Sequence, residues 1–388
     1  MIRDLNSQQI AKYSRHICLP NVGIQGQKKL TNSRILIVGL GGLGSPVALY
    51  LAAAGIGTLG LAEFDKVESH NLQRQILHKN TFLEKDKLLS AEKELSALNP
   101  EISLELHASG ILPDNAVELI SQYDLVIDGT DNFPTRYLIN DAAYFAKKPL
   151  VYGSVYQFEG QVSFFNPCNG GPCYRCYFPK MPKAEEIPNC SEAGVIGALC
   201  GVVGSMQSME AIKYILGIGE CSEKSMILVD SLTMNFRKLY LEQDSHCPLC
   251  GDQPEITEIK KAHYTFNCQT KHETKQEYKM DLNPIEISVE ESKKLLDSDP
   301  TTLLIDVRED HEREICSILP SIHIPMQSIP ENLDKISKDQ TLLVHCHHGM
   351  RSLNVVNYLR EKGYKNAINM RGGIDQWTLQ IDSSLTRY

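Results

Sequence analysis

The sequence predicts an α/β protein: a doubly wound sheet carrying a structural zinc site, followed by a smaller α/β unit. Three observations predict it. Strands of branched apolar residues alternate with helical patterns twice along the chain, a glycine-rich turn follows the first such strand, and a polar, aperiodic stretch separates the two runs. Two or three domains are expected for 388 residues. Hydrophobic content of 42% supports a large core, and a net charge of -9 argues against nucleic acid or an anionic membrane as the main partner. The stretch Met1–Leu5 has no apolar signal core. Val195–Val203, the most apolar later run, is too short to span a bilayer and reads as a buried segment. The 12 cysteines then point to metal and thiol chemistry in a reducing compartment, which places the protein in the cytoplasm.

Residues 1–33, with Tyr13, Arg15 and Gly23–Leu30, are expected as helix, loop and helix; alone, Arg15 reads as a solvated helix charge. Ile35, Leu36, Ile37 and Val38 form a strand buried on both faces. Gly39, Gly41 and Gly44 follow at G-x-G-x-x-G spacing, and the helix beginning at Ser45 is stopped by Gly55. Strand, glycine turn and helix make a phosphate cradle, because glycines admit a phosphate to the backbone and the helix start offers unpaired N–H groups.

The next strand is Thr58–Asp65, and Glu63, 19 residues past Gly44, stands where an acid accepts from a ribose hydroxyl. Up to this point a nicotinamide-dependent oxidoreductase fits equally well. The loop Ser69–Gln75 changes the balance by gathering Asn71, Arg74 and Gln75. It is either a polar surface turn or a set of donors for a triphosphate, with Arg74 forking onto phosphate oxygens. Lys87 lies on a helix over 85–98, as a surface lysine or a phosphate charge. Alternation continues through Ile102–His107, Asn115–Ile120 and Asp124–Asp128. The last strand runs into Asp131 and Asn132, where a carboxylate suits Mg²⁺ beside phosphates and either residue could cap the next helix.

Pro149–Gly153 and Gln161–Phe165 read as strands. The pairs Cys173-x-x-Cys176 and Cys247-x-x-Cys250 supply the ligands of a closed tetrahedral Zn²⁺ site, with redox pairs or disulfides as the alternatives. Residues 179–188 read as a loop, and Cys190 after it as a small buried hydrophobe or a nucleophile. A helix over Gly204–Ile218 is expected to turn Met206, Met209, Ile212 and Ile215 to the core. Met226–Asp230 and Phe236–Leu241 close the unit, and residues 252–283, including Cys268, read as a linker.

In the second unit, Leu303–Arg308 and Thr341–His345 are strands. The latter runs into Cys346-His-His-Gly-Met-Arg-Ser352, then a helix ended by Gly363. A thiol on such a loop is surrounded by backbone N–H groups and the positive helix end, which stabilises a thiolate or persulfide; Arg351 is expected to add charge. A phosphatase loop uses the same logic with one more residue between Cys and Arg, so this shorter loop suits sulfur. His347 and His348 read as loop-shaping residues.

Residues 1–251 resemble the MoeB/ThiF group of ubiquitin-activating-like adenylyltransferases, a Rossmann-like fold. The matching stretches are Tyr13-Ser-Arg15, Gly39–Gly44, Asn71–Gln75, Lys87, Thr130-Asp-Asn132, both Cys-x-x-Cys pairs and Cys190-Ser-Glu-Ala-Gly. Residues 284–388 resemble a rhodanese domain through Asp306-Val-Arg-Glu, His323-Ile-Pro325, Cys346–Ser352 and Arg371–Trp377. The order is that of MoeB–rhodanese fusions and of molybdenum-cofactor and tRNA-thiolation activators.

The resemblance implies ATP-dependent adenylation of the C-terminal Gly-Gly carboxylate of a small ubiquitin-like sulfur carrier, then sulfur transfer from a Cys346 persulfide to give a thiocarboxylate. It implies Gly41 and Gly42 against ATP, Glu63 on the ribose, and Asn71, Arg74, Gln75 and Lys87 around the phosphates. Asp131 would hold Mg²⁺ or orient the α-phosphate, with Asn132 beside it. Arg15 would reach the γ-phosphate of a neighbouring subunit, implying a homodimer, and Cys190 would form a thioester or resolve a disulfide. A cysteine desulfurase or thiosulfate would supply sulfur. The family usually has Asp where Glu63 stands, so Asp65 would contribute more or the nucleotide would shift. Two other functions remain open at this point: passing an acyl-Cys190 carrier to a conjugation pathway, and a non-catalytic nucleotide-binding scaffold.

Overall fold

The computed structural model describes residues 4–182, 194–264 and 284–388. The chain divides into two units, Met1–Cys268 and Gln269–Tyr388. Cys190 and Cys268 lie outside the described residues, as does the 179–188 loop from residue 183 onward.

The first unit is an eight-stranded sheet of order β3-β2-β1-β4-β5-β6-β7-β8. Its parallel part comprises β1 (Arg34–Val38), β2 (Thr58–Ala62), β3 (Ser103–His107), β4 (Leu125–Asp128) and β5 (Leu150–Tyr156). An antiparallel run, β6 (Glu159–Phe165), β7 (Ser225–Asp230) and β8 (Asn235–Tyr240), extends it. Ile35, Leu36 and Ile37 are fully buried, which is why β1 reads as an unbroken apolar run: helices cover both faces. The order reverses between β1 and β4, so their C-terminal loops open a crevice at the topological switch point. The doubly wound expectation holds.

The helix Gly44–Ala54 leaves the glycine turn and ends at Gly55, whose φ of +81° closes its last turn in the left-handed region. Val195–Val203 does not stand alone; most of it opens the long helix Gly197–Leu216. That helix does not turn the expected face inward throughout. Met206, Ile212 and Ile215 pack on the cores, but Met209 is 54% exposed. Gln207 and Glu210 are buried in its neighbourhood because they have partners: Gln207 Nε2 donates to Asp128 O at 2.7 Å, and Glu210 accepts from Ser222 N at 2.9 Å. Residues 252–264, polar enough to read as the start of a linker, pack onto the first unit. Tyr264 is buried and donates its hydroxyl to Asp141 Oδ2 at 2.8 Å.

The second unit is a parallel sheet of order β11-β10-β12-β13-β9. Its strands are β9 (Glu286–Ile287), β10 (Leu303–Asp306), β11 (Ile322–His323), β12 (Leu342–His345) and β13 (Ala367–Met370). Ile305, Val344, Val356 and Leu359 fill one face, and Leu343, Ile368 and Trp377 the other. Among the described residues, no helix is long and apolar enough to cross a membrane.

Candidate functional site

In the first unit the turn after β1 is drawn closed against the loop after β4. Gly39 has φ +84°, and a Cβ there would lie 3.0 Å from Gly129 O; a Cβ on Gly44 would lie 1.9 Å from Gly39 O. Only glycine fits either position. Leu40 is held from both sides: its N–H donates to Glu63 Oε2 at 3.0 Å, and its carbonyl pairs with His78 Nε2 at 3.0 Å. A Cβ on Gly41 would meet Gln75 Nε2 at 3.7 Å, and one on Gly42 would meet Cys200 Sγ at 3.0 Å and Arg74 Cδ at 3.6 Å. The turn is thus floored by Gln75, Cys200 and the Arg74 stem. Gln75 Oε1 is buried without a partner among the described residues, and burial raises the Cys200 thiol while Arg74 opposes it.

The charged residues gather at the same end of the sheet. Lys87, 5% exposed, puts Nζ 3.0 Å from Asp65 Oδ2 and 3.9 Å from Glu63 Oε2. Glu63 is buried, and its oxygens also accept from Phe64 N at 2.8 Å and Asp65 N at 3.0 Å. With Leu40 that makes three backbone donors on one carboxylate, which leaves about one acceptor direction open. Arg74 Nη1 donates to His70 O at 3.0 Å. Asn71 is occupied locally, accepting from Glu68 N at 3.1 Å and pairing with His70 Nε2 at 3.0 Å. Asp131 is exposed in the loop after β4. Asn132 is the cap of the helix Phe133–Phe145, accepting from Thr135 N at 3.0 Å.

Residues that motif reading passed over shape this crevice. Asp128, fully buried at the end of β4, accepts from Thr130 N at 2.9 Å and Thr130 Oγ1 at 2.6 Å. It thereby folds the loop that presents Asp131. Burial raises its carboxyl, against the charge of Arg136, whose Nε is 3.4 Å away. The Arg136 guanidinium packs near the Phe133 and Tyr152 rings at 5.4 and 5.1 Å. A strand-ending acid eight residues before an arginine was the available signal. Arg15 is not brought to the crevice of its own chain. Tyr13, two residues before it, packs where a Cβ on Gly55 would meet it at 2.5 Å, so Arg15 lies toward the far end of an 11-residue helix from Gly44, about 16 Å at 1.5 Å per residue.

Cys173, Cys176, Cys247 and Cys250 converge. Their sulfurs are 3.9 Å (Cys173–Cys176), 3.6 Å (Cys173–Cys247), 3.5 Å (Cys176–Cys250) and 3.4 Å (Cys173–Cys250) apart. Four thiolates about 2.3 Å from a zinc ion stand about 3.8 Å from one another, so the donor set fits Zn²⁺. Cys173 N, Asp244 N and Cys250 N point at the sulfurs from 3.4–3.5 Å, the outer hydrogen bonds a thiolate site uses.

In the second unit Cys346 is the first residue after β12, fully buried. Gly349 N–H donates to its Sγ at 3.1 Å, and Ser352 Oγ lies 3.4 Å from the same sulfur and 2.7 Å from Asn369 Oδ1. The expectation that Arg351 adds charge at the sulfur is corrected. Its guanidinium is spent on a bidentate pair with Glu312, Nη1–Oε2 at 2.6 Å and Nη2–Oε1 at 2.7 Å. Burial would raise the Glu312 carboxyl, but Arg351 holds it below its usual range. Beneath the loop, Asp306 and Arg308 form a fully buried pair at 2.7 Å. Burial works against the Asp306 charge, yet the Arg308 hydrogen bond, with His345 and the Arg308 charge, holds that carboxyl down at about 2. Burial pushes His345 and His347 down to about 4.

Residues 13–249 match the model of the ThiF family, and residues 288–380 that of the rhodanese-like domain. The chain is 39% identical over 389 residues to the probable adenylyltransferase/sulfurtransferase MoeZ of Mycobacterium tuberculosis, covering 99% of this chain and 96% of that protein. It is 40% identical to the adenylyltransferase and sulfurtransferase MOCS3 of Aedes aegypti, covering 100% and 91%, and 40% identical to MOCS3-2 of Zea mays, covering 99% and 82%. A crystal structure of E. coli MccB shares the fold, with a TM-score of 0.56 and 23% identity over 64% of this chain and 75% of that one.

Proposed function

We infer the function from one premise: the chain belongs to the ThiF family, with a rhodanese-like domain behind it. It is a bifunctional adenylyltransferase and sulfurtransferase. Its substrate is a small ubiquitin-like sulfur carrier ending in Gly-Gly. The observation that carries this reading is the pairing in one chain of a closed glycine turn edged by Arg74, Lys87 and Asp131 with a buried thiol held by a backbone N–H and a hydroxyl.

ATP lies over Gly41 and Gly42 with its phosphates toward Arg74 and Lys87, and Gln75 closes the floor. Lys87 exchanges Asp65 for phosphate oxygens, a short swing because Nζ is already held at the crevice. Glu63 offers its remaining acceptor direction to the ribose, and Asn71 keeps the loop of Arg74 folded. Asp131 holds Mg²⁺ or orients the α-phosphate, with Asn132 fixing the helix behind it. The carrier carboxylate attacks the α-phosphorus, its P–O bond forms, and pyrophosphate leaves. Charge fixed around phosphoryl oxygens is the main source of catalysis in such a step. Arg15, remote from its own crevice, serves the crevice of a second subunit in a homodimer.

The terminal sulfur of a Cys346 persulfide then attacks the acyl carbon and expels AMP. A second thiol, for which Cys190 is proposed, cleaves the resulting S–S bond. That releases the thiocarboxylate and leaves a disulfide on Cys346, which a dithiol reductant restores. A cysteine desulfurase or thiosulfate loads the persulfide. Zn²⁺ in the four-cysteine clasp is structural.

The test is the mass of a Gly-Gly-ending carrier after incubation with the protein, ATP, Mg²⁺ and thiosulfate. The expected product has one sulfur in place of one oxygen. Pyrophosphate exchange into ATP that runs equally well without a carrier overturns the reading.

A further inference from the structure

Two histidines and an aspartate at the rim of the sulfur loop have no part in sulfur transfer as derived above. His347 and His348 follow Cys346, and Asp375 stands in the first turn of the helix Gly373–Gln380. One ligand atom from each lies within 4.8 Å of the other two. His348 Nδ1 is 3.8 Å from Asp375 Oδ2, and the His347 and His348 ring centroids are 4.0 Å apart. His347 is 5% exposed, and its enclosed Nε2 has no hydrogen-bond partner among the described residues. A buried imidazole nitrogen left in that state calls for a ligand, because native structures rarely leave one unsatisfied.

The surroundings hold these groups in place. The Tyr388 ring stacks on His347 with centroids 4.3 Å apart and planes 5° from parallel. Arg387 Nε donates to Asp375 Oδ1 at 2.6 Å, and Oδ2, which accepts a longer bond from Gln376 Nε2 at 3.4 Å, faces His348. Asp375 N–H donates to His347 O at 3.1 Å, and Ile374 N–H to Cys346 O at 3.0 Å, tying the loop to the helix. Two imidazoles and one carboxylate form the donor set of an open zinc-type site, whereas Ca²⁺ and Mg²⁺ select oxygen.

We propose that His347, His348 and Asp375 bind one zinc-type divalent cation at the rim of the sulfur loop. Donors about 2.0–2.1 Å from a tetrahedral centre stand about 3.3 Å apart, so His348, at 36% exposure the freest of the three, turns inward to complete the set. The bound cation fastens residues 346–348 to the helix Gly373–Gln380 on a second side. The loop that must open for sulfur to reach Cys346 is then locked, and metal occupancy slows sulfur loading. This last consequence rests on the sulfurtransferase reading; the binding itself does not.

The experiment uses the full-length protein with zinc in its four-cysteine clasp, titrated with Co²⁺ and followed by visible absorption. One further equivalent is expected, showing d–d bands without a thiolate charge-transfer band. Binding should be at least tenfold weaker in His348→Ala, checked as folded by circular dichroism, and unchanged in Cys346→Ser. No further equivalent, a thiolate band, or equal binding by His348→Ala overturns the site. In parallel, Zn²⁺ should lower thiocyanate formation from thiosulfate and cyanide by the unsubstituted protein and not by His348→Ala. A further equivalent that leaves thiocyanate formation unchanged overturns the lock and keeps the binding site.

Discussion

The two loops proposed to carry the chemistry would meet negative charge in opposite ways. The crevice after β1 meets it with full charges on separate elements: Arg74 from a loop, and Lys87 from the helix Lys87–Leu98, parked 3.0 Å from Asp65. The loop after β12 meets it with dipoles from one contiguous segment. Gly349 N–H and the Ser352 hydroxyl face the Cys346 sulfur, and its nearest guanidinium in sequence, Arg351, is locked onto Glu312. A triphosphate carries several charges and must be admitted and released, so mobile counter-charges suit it. A persulfide carries one charge on a covalently fixed atom, so fixed dipoles suffice.

The largest effect expected from this comparison comes from deleting the thiol. Cys346→Ala should abolish thiocyanate formation and leave carrier-dependent pyrophosphate exchange within about twofold. A matched loss of both would break the separation between the loops. Next is Lys87→Ala, for which we expect about a 10²–10³-fold loss of exchange, the range seen when a fixed charge on a developing anion is removed, with thiocyanate formation retained. Asp65→Asn should cost far less, because Asp65 only parks the lysine.

Acid is expected to destabilise the second unit. The Asp306 carboxyl is held at about 2, below its ordinary 3.8. A depressed carboxyl stabilises the fold above its unfolded pKa, and that stability is lost as pH falls through the folded value. The second unit should therefore lose about 2 kcal/mol between roughly pH 4 and pH 2. Trp377, the one tryptophan of the sequence and buried in this unit, reports it directly in urea titrations followed by fluorescence. An unfolding midpoint flat across that range would refute the assignment. The smallest effect is expected from Ser352→Ala, about 1 kcal/mol on the sulfur anion, the usual worth of one hydroxyl hydrogen bond. It should appear as slower alkylation of Cys346 at neutral pH; an unchanged rate would show that Gly349 N–H alone holds the anion.

Features that one short segment builds were legible. The glycine turn, the two Cys-x-x-Cys pairs and the Cys346 loop each owe their geometry to neighbouring residues, so spacing alone marked them. Features built across the fold were not. The Arg351–Glu312 pair joins residues 39 positions apart, and from sequence Arg351 looked free to serve the sulfur. Met209 follows the apolar period of its helix yet faces outward, because Gln207 and Glu210 find buried partners that no helical pattern announces. Residues 252–264 lack periodicity because, apart from one 3₁₀ turn at Lys261–Tyr264, they pack as irregular chain, through Tyr264 on Asp141.

By itself the sequence determined that a closed glycine turn and a cysteine loop opening a helix sit on two α/β units, because backbone conformation and residue chemistry set both locally. Only the tertiary structure decided how the acids divide their work, with Glu63 enclosed by three backbone donors, Asp128 folding the loop beneath Asp131, and Asp65 left to hold Lys87. Carboxylates look alike in a sequence. Which one is buried, and which donors reach it, depends on strands paired from distant parts of the chain.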